Sequence, residues 1–144
     1  MTHLPQVLLV DDNPADVGLA REALAGGRHQ SCISNVVDGE EAIAYLRRRG
    51  RYAEAARPDL VILDLNLPRK DGRAVLAEVK GDTNLQTIPV VVFSTSRARL
   101  DIARSYELGA NCYVSKPVNL AAYLLALQSV EEFWFGCVSL AGEE

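Results

Sequence analysis

The chain has 144 residues, material for one domain, and its 49% hydrophobic and 24% charged residues exclude wholesale disorder. Lys and Arg total 15 against 19 Asp and Glu, a net charge of −4, which leaves little for the basic face that grips a nucleic-acid backbone. No apolar run approaches the ~20 residues of a membrane helix, and the first residues lack a basic and then apolar leader. Cys32, Cys112 and Cys137 are widely spaced and odd in number, so neither a disulfide framework nor a zinc cluster is expected. The expected setting is the cytoplasm, with no nucleic-acid or membrane partner.

Strand-like and helix-like stretches alternate along the chain. Gln6–Val10 is the first strand, followed by a helix that opens at Asn13-Pro14, a capping residue and then proline in the first turn, and stops at Gly26-Gly27. A strand over 31–36 precedes a second helix, with Asp38 as N-cap and Glu41 at capping-box spacing, running to Arg49. Leu60–Leu63 is a third strand and 71–80 a third helix. Strand 88–93, helix 98–108, strand 111–115 and helix 120–135 complete the pattern. Val61-Ile62-Leu63 and Val90-Val91-Val92-Phe93 are apolar at every position, as in strands covered on both faces. Five β-α units with right-handed crossovers predict an α/β three-layer sandwich around a parallel sheet, in a single domain over 1–144.

In such sheets a site forms beyond the carboxyl ends of the strands. There the sequence places Asp11-Asp12-Asn13, Asp64-Leu65-Asn66-Leu67-Pro68, Ser94-Thr95-Ser96 and Lys116-Pro117. Carboxylates gathered in one pocket repel unless a cation neutralises them, and a hard divalent ion with oxygen ligands, Mg²⁺ before others, does so. A carboxylate can also attack phosphorus to give an aspartyl-phosphate, a reaction that asks the protein mainly for positioning and charge neutralisation. Lys116 and the Ser94 hydroxyl are suited to a phosphoryl group. Any one of these residues alone reads as a helix cap or a solvated loop charge; their common position at one sheet edge is the informative feature. Gly-x-x-x-x-Gly-Lys, Gly-x-Gly-x-x-Gly and Gly-x-Ser-x-Gly motifs are all absent.

These motifs resemble the receiver domain of two-component response regulators over nearly the whole chain. The resemblance implies a flavodoxin-like (βα)5 fold with strand order 2-1-3-4-5. It makes Asp64 the phosphoacceptor, with Ser94 and Lys116 contacting the phosphoryl group. Mg²⁺ (or Mn²⁺) would be held by Asp12, Asp64 and the backbone carbonyl of Asn66, with Asp11 acting through water. Tyr113 occupies the switch-aromatic position, and its ring would rotate inward when Ser94 moves towards the phosphate. The Lys116–Pro117 peptide would be cis, and Asn66 and Ser96 would tune hydrolysis. A sensor histidine kinase is the implied partner, with output through the face of the fourth helix, fifth strand and fifth helix. The chain's chemistry would be confined to its own phosphorylation and dephosphorylation.

The stretch 47–58 and the terminal Glu131-Glu132-Phe133-Trp134-Phe135 are similar to single-domain regulators paired with phytochrome-type kinases. Arg47, Arg48, Arg49 and Arg51 read as a solvated helix end or as a dock for an acidic kinase surface. Tyr123, Leu127, Val130 and Trp134 share one helical face beside a second stripe of Leu120, Leu124 and Leu127. Packing on the domain's own core explains one stripe, and the excess width, with Phe133 and Phe135, predicts a homodimer surface that includes Tyr123, Leu127, Val130 and Trp134 and an extension over 131–144. Three other readings stand beside the switch, one of them a receiver that binds partners without being phosphorylated. A phosphate sink needs the same residues. A metal-dependent aspartyl-phosphate phosphatase of the haloacid-dehalogenase type would need an acid at position 66, which is Asn.

Overall fold

The computed structural model describes residues 4–141. Its elements are β1 (Gln6–Val10), α1 (Pro14–Ala25), β2 (Cys32–Val36), α2 (Gly39–Leu46), a 3₁₀ turn (Gly50–Tyr52), β3 (Leu60–Leu63), α3 (Gly72–Gly81), β4 (Val90–Ser94), α4 (Arg99–Glu107), β5 (Cys112–Ser115), α5 (Leu120–Glu132) and a π turn (Phe133–Cys137). All strand pairs are parallel, in the order β2-β1-β3-β4-β5, the flavodoxin-like arrangement that the resemblance to receiver domains implies.

Strand side chains alternate between faces, so each strand feeds two cores. Leu8, Val10, Val61, Leu63, Val90 and Val92 pack with Ile43, Leu46, Val75, Leu76 and Val79 of α2 and α3. Val7, Leu9, Leu60, Ile62, Val91 and Phe93 pack with Ala20, Ala23 and Leu24 of α1 and with Tyr123, Leu127 and Val130 of α5. Each buried Leu, Ile or Val contributes roughly 1.5–3 kcal/mol relative to exposure. Covered faces on both sides explain why β3 and β4 carry no polar alternation.

Boundaries shift for local reasons. The second helix ends at Leu46 and not at Arg49, because Arg48 takes a left-handed conformation (φ 54°). Asp38 accepts from the Glu41 backbone N–H at 2.8 Å, as the capping spacing predicts. The Glu41 side chain turns to Arg51 and Tyr52 instead of completing the box. Arg47 bridges to Glu78 and Asp82 of the α3 region at 3.2 Å, whereas Arg48 and Arg49 are exposed. Position 88 falls outside β4 because Pro89, with no N–H, separates it from the ladder.

The fifth helix requires a correction. Tyr123, Leu127 and Val130 are buried in the domain's own core and are not available to a second copy. Their spacing matches the sheet surface, so this stripe closes the α1–α5 layer. Trp134 and Phe135 lie in the π turn that continues α5 and pack partly against the same core. Glu131, 1% exposed, accepts from the His29 backbone N–H at 2.5 Å and ties α5 to the segment after α1. The apolar surface left outside comprises Leu120, Leu125 (63% exposed) and Phe133 (51% exposed). Residues 142–144 of the expected extension lie outside the described residues.

Two glycines let loops approach closely beside the carboxyl edge of the sheet. A Cβ on Gly72 would sit 2.3 Å from the Asp64 carbonyl oxygen, and one on Gly39 would sit 1.9 Å from the Lys70 carbonyl oxygen. Nothing lies within 4 Å of a Cβ on Gly81. Gly72→Ala is therefore expected to cost roughly 2–3 kcal/mol in urea unfolding, with Gly81→Ala within ~1 kcal/mol of the parent or more stable. Equal effects of the two substitutions would contradict this account of the loop.

Candidate functional site

Sheet register brings the site residues level. Val10 pairs with Leu63, and Ser94 pairs with Ser115, so Asp11 and Asp64 leave adjacent strands side by side, with Lys116 following the partner of Ser94. The ladder bonds continue one residue past the strands. Asp11 N–H donates to Val36 O at 3.1 Å, Asp64 N–H to Val10 O at 3.0 Å, and Lys116 N–H to Ser94 O at 2.7 Å. Each functional side chain thus starts from a backbone fixed by the sheet. The Lys116–Pro117 peptide is trans, contrary to expectation. The two isomers of an X–Pro bond differ by only ~0.5–1 kcal/mol, and the trans form accommodates both the Lys116 backbone bond and its side-chain contacts.

The Lys116 side chain is 4% exposed and makes three charge-assisted bonds. Its Nζ lies 3.0 Å from Asp11 Oδ2, 2.9 Å from Asp16 Oδ2 and 3.1 Å from Asp64 Oδ2. An ammonium has three N–H groups, and all three are used. Burial works against its charge, but the hydrogen bond it donates to Asp16 and the charges of Asp64 and Asp11 outweigh that and raise its pKa. The Asp11 carboxyl is also raised: burial exceeds the opposing pull of the Asn13 N–H and of Lys116.

Carboxylate oxygens of Asp11, Asp12 and Asp64 lie within 4.8 Å of one another. Asp11 is buried, Asp64 half-buried and Asp12 exposed, giving an open-topped oxygen donor set that fits a hard divalent cation. The second Asp11 oxygen accepts from the Asn13 N–H at 2.9 Å, and Asp64 Oδ1 accepts from the Asn66 N–H at 3.3 Å. Asn66, exposed and two residues beyond Asp64, sits at the rim.

Ser94 is fully buried at the end of β4, with its Oγ accepting from the Ser96 N–H at 3.3 Å. From Ser96 a polar chain runs across the surface. Its Oγ donates to Asp101 Oδ2 at 2.5 Å; Asp101 Oδ1 accepts from Arg73 at 2.7 Å; and Arg73 also reaches Asp71. The hydrogen bond from Ser96 and the nearby Arg73 guanidinium lower the Asp101 pKa. Tyr113, expected to turn inward on activation, already packs against the α2–α3 core and donates its hydroxyl to Ser96 O at 2.8 Å. Its own N–H donates to the Tyr106 hydroxyl oxygen at 3.0 Å.

The expected set Asp11, Asp12, Asp64, Asn66, Ser94, Ser96, Tyr113 and Lys116 is gathered at one edge of the sheet. Asp16 is the member that sequence reasoning missed. It reads as an ordinary first-turn acid, complementing the α1 dipole three residues after the Asn13 cap. The usable signal is its place in a helix that starts at the site edge. Asp101 and Arg73 were equally silent, since they meet only through tertiary packing.

Removing the ammonium leaves Asp11 buried without its counter-ion, so Lys116→Met should lose roughly 2–4 kcal/mol at pH 8 without divalent cations. A group whose folded pKa is raised contributes stability at low pH and loses it as pH rises through that value. Without Lys116 the Asp11 pKa rises further, so the deficit of the variant relative to the parent should shrink at pH 5. Urea titrations at both pH values test this, and equal deficits would contradict it.

A family model for the response regulator receiver domain matches residues 7–128. Response regulator Rcp1 of Synechocystis sp. is 44% identical over 134 residues, covering 93% of this chain and 91% of that protein. The crystal structure of the phosphorylated cyanobacterial phytochrome response regulator RcpA superposes with a TM-score of 0.94 at 49% identity, covering 97% of this chain and 100% of that one. The Mn²⁺-bound form of Rcp1 superposes with a TM-score of 0.92 at 43% identity, covering 96% and 99%. With the carboxylate, hydroxyl and lysine motifs at one sheet edge and the 2-1-3-4-5 strand order, these matches show that the chain belongs to the response regulator receiver domain family.

Proposed function

We propose that the chain is a phosphorylation-dependent switch of a two-component system in which Asp64 accepts a phosphoryl group from a sensor histidine kinase. The observation that carries this is the Lys116 ammonium in contact with Asp64 at the edge of an acidic pocket suited to a divalent cation. A carboxylate oxygen of Asp64 bonds to phosphorus as the N–P bond of a phosphohistidine breaks. The imidazole nitrogen keeps the electron pair and regains a proton from solvent. Hydrolysis reverses the state: water attacks phosphorus, the bond to Asp64 breaks, and inorganic phosphate leaves.

Mg²⁺, held by Asp12, Asp64 and the Asn66 carbonyl with Asp11 behind it, would neutralise phosphoryl charge. Lys116 exchanges its bond to Asp64 for a phosphoryl oxygen, and Ser94 releases the Ser96 N–H to donate its hydroxyl to another. The Ser96 segment then shifts, and with it the Tyr113 and Asp101 contacts, changing the surface of α4, β5 and α5. Asn66 and Ser96, at the pocket rim, set access of hydrolytic water. The likeness to RcpA supports a phytochrome-type kinase as donor, and the setting we propose is the cytoplasm.

Residues 131 onward lie beyond the family match and form an interaction segment appended to a single receiver domain. With Tyr123, Leu127 and Val130 committed to the core, a homodimer would use the exposed Leu120, Leu125 and Phe133.

Intact mass after incubation with acetyl phosphate and Mg²⁺ tests the switch. The parent should gain one acid-stable, base-labile phosphoryl group and Asp64→Asn none; an adduct on both would place the acceptor elsewhere. Light scattering on the same samples tests assembly. The parent should be a dimer and Phe133→Asp a monomer, whereas a dimeric variant would remove Phe133 from the interface.

A further inference from the structure

We propose that Asp16 is a positioning residue that shares the Lys116 ammonium with Asp11 and Asp64, leaving those two carboxylates free enough to take a divalent cation. This rests on the reading of Asp11, Asp12 and Asp64 as a cation site.

Asp16 differs from the other two partners of Lys116 in origin and in surroundings. Asp11 and Asp64 extend from strand ends, and their oxygens belong to the cluster spanning 4.8 Å. Asp16 comes from the first turn of α1 and contributes no oxygen to that cluster, yet it makes the shortest of the three Lys116 contacts at 2.9 Å. The first turn is fixed by Asn13, whose side chain accepts from the Ala15 and Asp16 backbone N–H groups at 2.9 and 3.2 Å. From the other side, the Tyr123 hydroxyl lies 3.4 Å from the Asp16 carbonyl oxygen. The Asp16 carboxylate is 26% exposed and the ammonium 4% exposed, so the pair is only partly screened.

Without Asp16, the third N–H of Lys116 has no carboxylate left but those of Asp11 and Asp64. The ammonium then competes more strongly with any cation for the same oxygens. With Asp16 present, the lysine retains a partner even after a cation has drawn Asp11 away and Asp64 has become an acyl phosphate. It therefore stays within reach of the phosphoryl oxygens.

The test is Mg²⁺ affinity by isothermal titration calorimetry at fixed ionic strength, on the parent, Asp16→Asn, Asp16→Glu, Lys116→Met and the double variant Asp16→Asn/Lys116→Met. A half-screened ion pair is worth up to ~1 kcal/mol, so Asp16→Asn should weaken Mg²⁺ binding roughly five-fold. Asp16→Glu should bind closer to the parent. In the Lys116→Met background the Asp16→Asn loss should largely vanish, because the effect runs through the lysine. Glu22→Gln, an exposed charge on α1, controls for general electrostatics and should leave the affinity unchanged. Thermal melts establish that each variant is folded. Equal affinity of parent and Asp16→Asn, or the same loss in both lysine backgrounds, would overturn the proposal. Absence of Mg²⁺ binding by the parent would instead overturn the cation site on which it rests.

Discussion

An ammonium group withdrawn from water must be surrounded by acceptors, and carboxylates crowded together must be given a cation. Lys116 satisfies both requirements at once. Its three N–H groups reach Asp11, Asp16 and Asp64, which come from three different parts of the chain. The ion cluster therefore joins β1, α1, β3 and the end of β5 at one point. Buried charge contributes little net stability in general, but breaking one partner of such a cluster is costly. It is poised because the same oxygens that hold the lysine also suit a divalent cation. A phosphoryl group on Asp64 would redistribute these contacts.

The path outward from this cluster is short and polar. Ser94 is the last residue of β4 and holds the Ser96 N–H. Ser96 in turn is held by Tyr113 through its carbonyl and by Asp101 through its hydroxyl, and Arg73 fastens Asp101 to the start of α3. A displacement of Ser94 cannot leave these bonds unchanged. The aromatic side chain, α4 and the N-terminal turn of α3 therefore share one segment, which is the physical requirement for a two-state surface. Large exposed apolar residues, Leu100 and Tyr106 on α4 and Leu120 on α5, lie on the elements that this segment would move.

Much of the fold was legible in the sequence because period and punctuation agreed. Fully apolar strands, Asn13-Pro14, the Asp38 cap and Gly26-Gly27 all pointed to the same β-α alternation, and the helix caps at Asn13 and Asp38 form as predicted. The principal site residues were legible because they directly follow strands, where topology alone fixes their placement. Asp16, Arg73 and Asp101 sit on helices, where a charge is ordinarily a solvated face, so only the packing reveals their partners. The α5 stripe was misread for the opposite reason. Tyr123, Leu127 and Val130 show a face that must be covered, but periodicity does not say whether the domain or a second copy covers it. The trans Lys116–Pro117 bond was not readable either, since the two isomers are nearly isoenergetic.

The proposed charge event at Asp64 would pass outward through Ser94 and Ser96. The most direct test is a two-dimensional amide NMR spectrum of the protein with Mg²⁺, before and after adding beryllofluoride, a stable phosphoryl mimic, compared with Asp64→Asn. Perturbations are predicted to extend from the pocket through Ser94–Ser96 to Asp101 and Tyr113 in the parent, and to be absent in Asp64→Asn. Perturbations confined to residues 11–16 and 64–66, with Ser96, Asp101 and Tyr113 unchanged, would contradict the account.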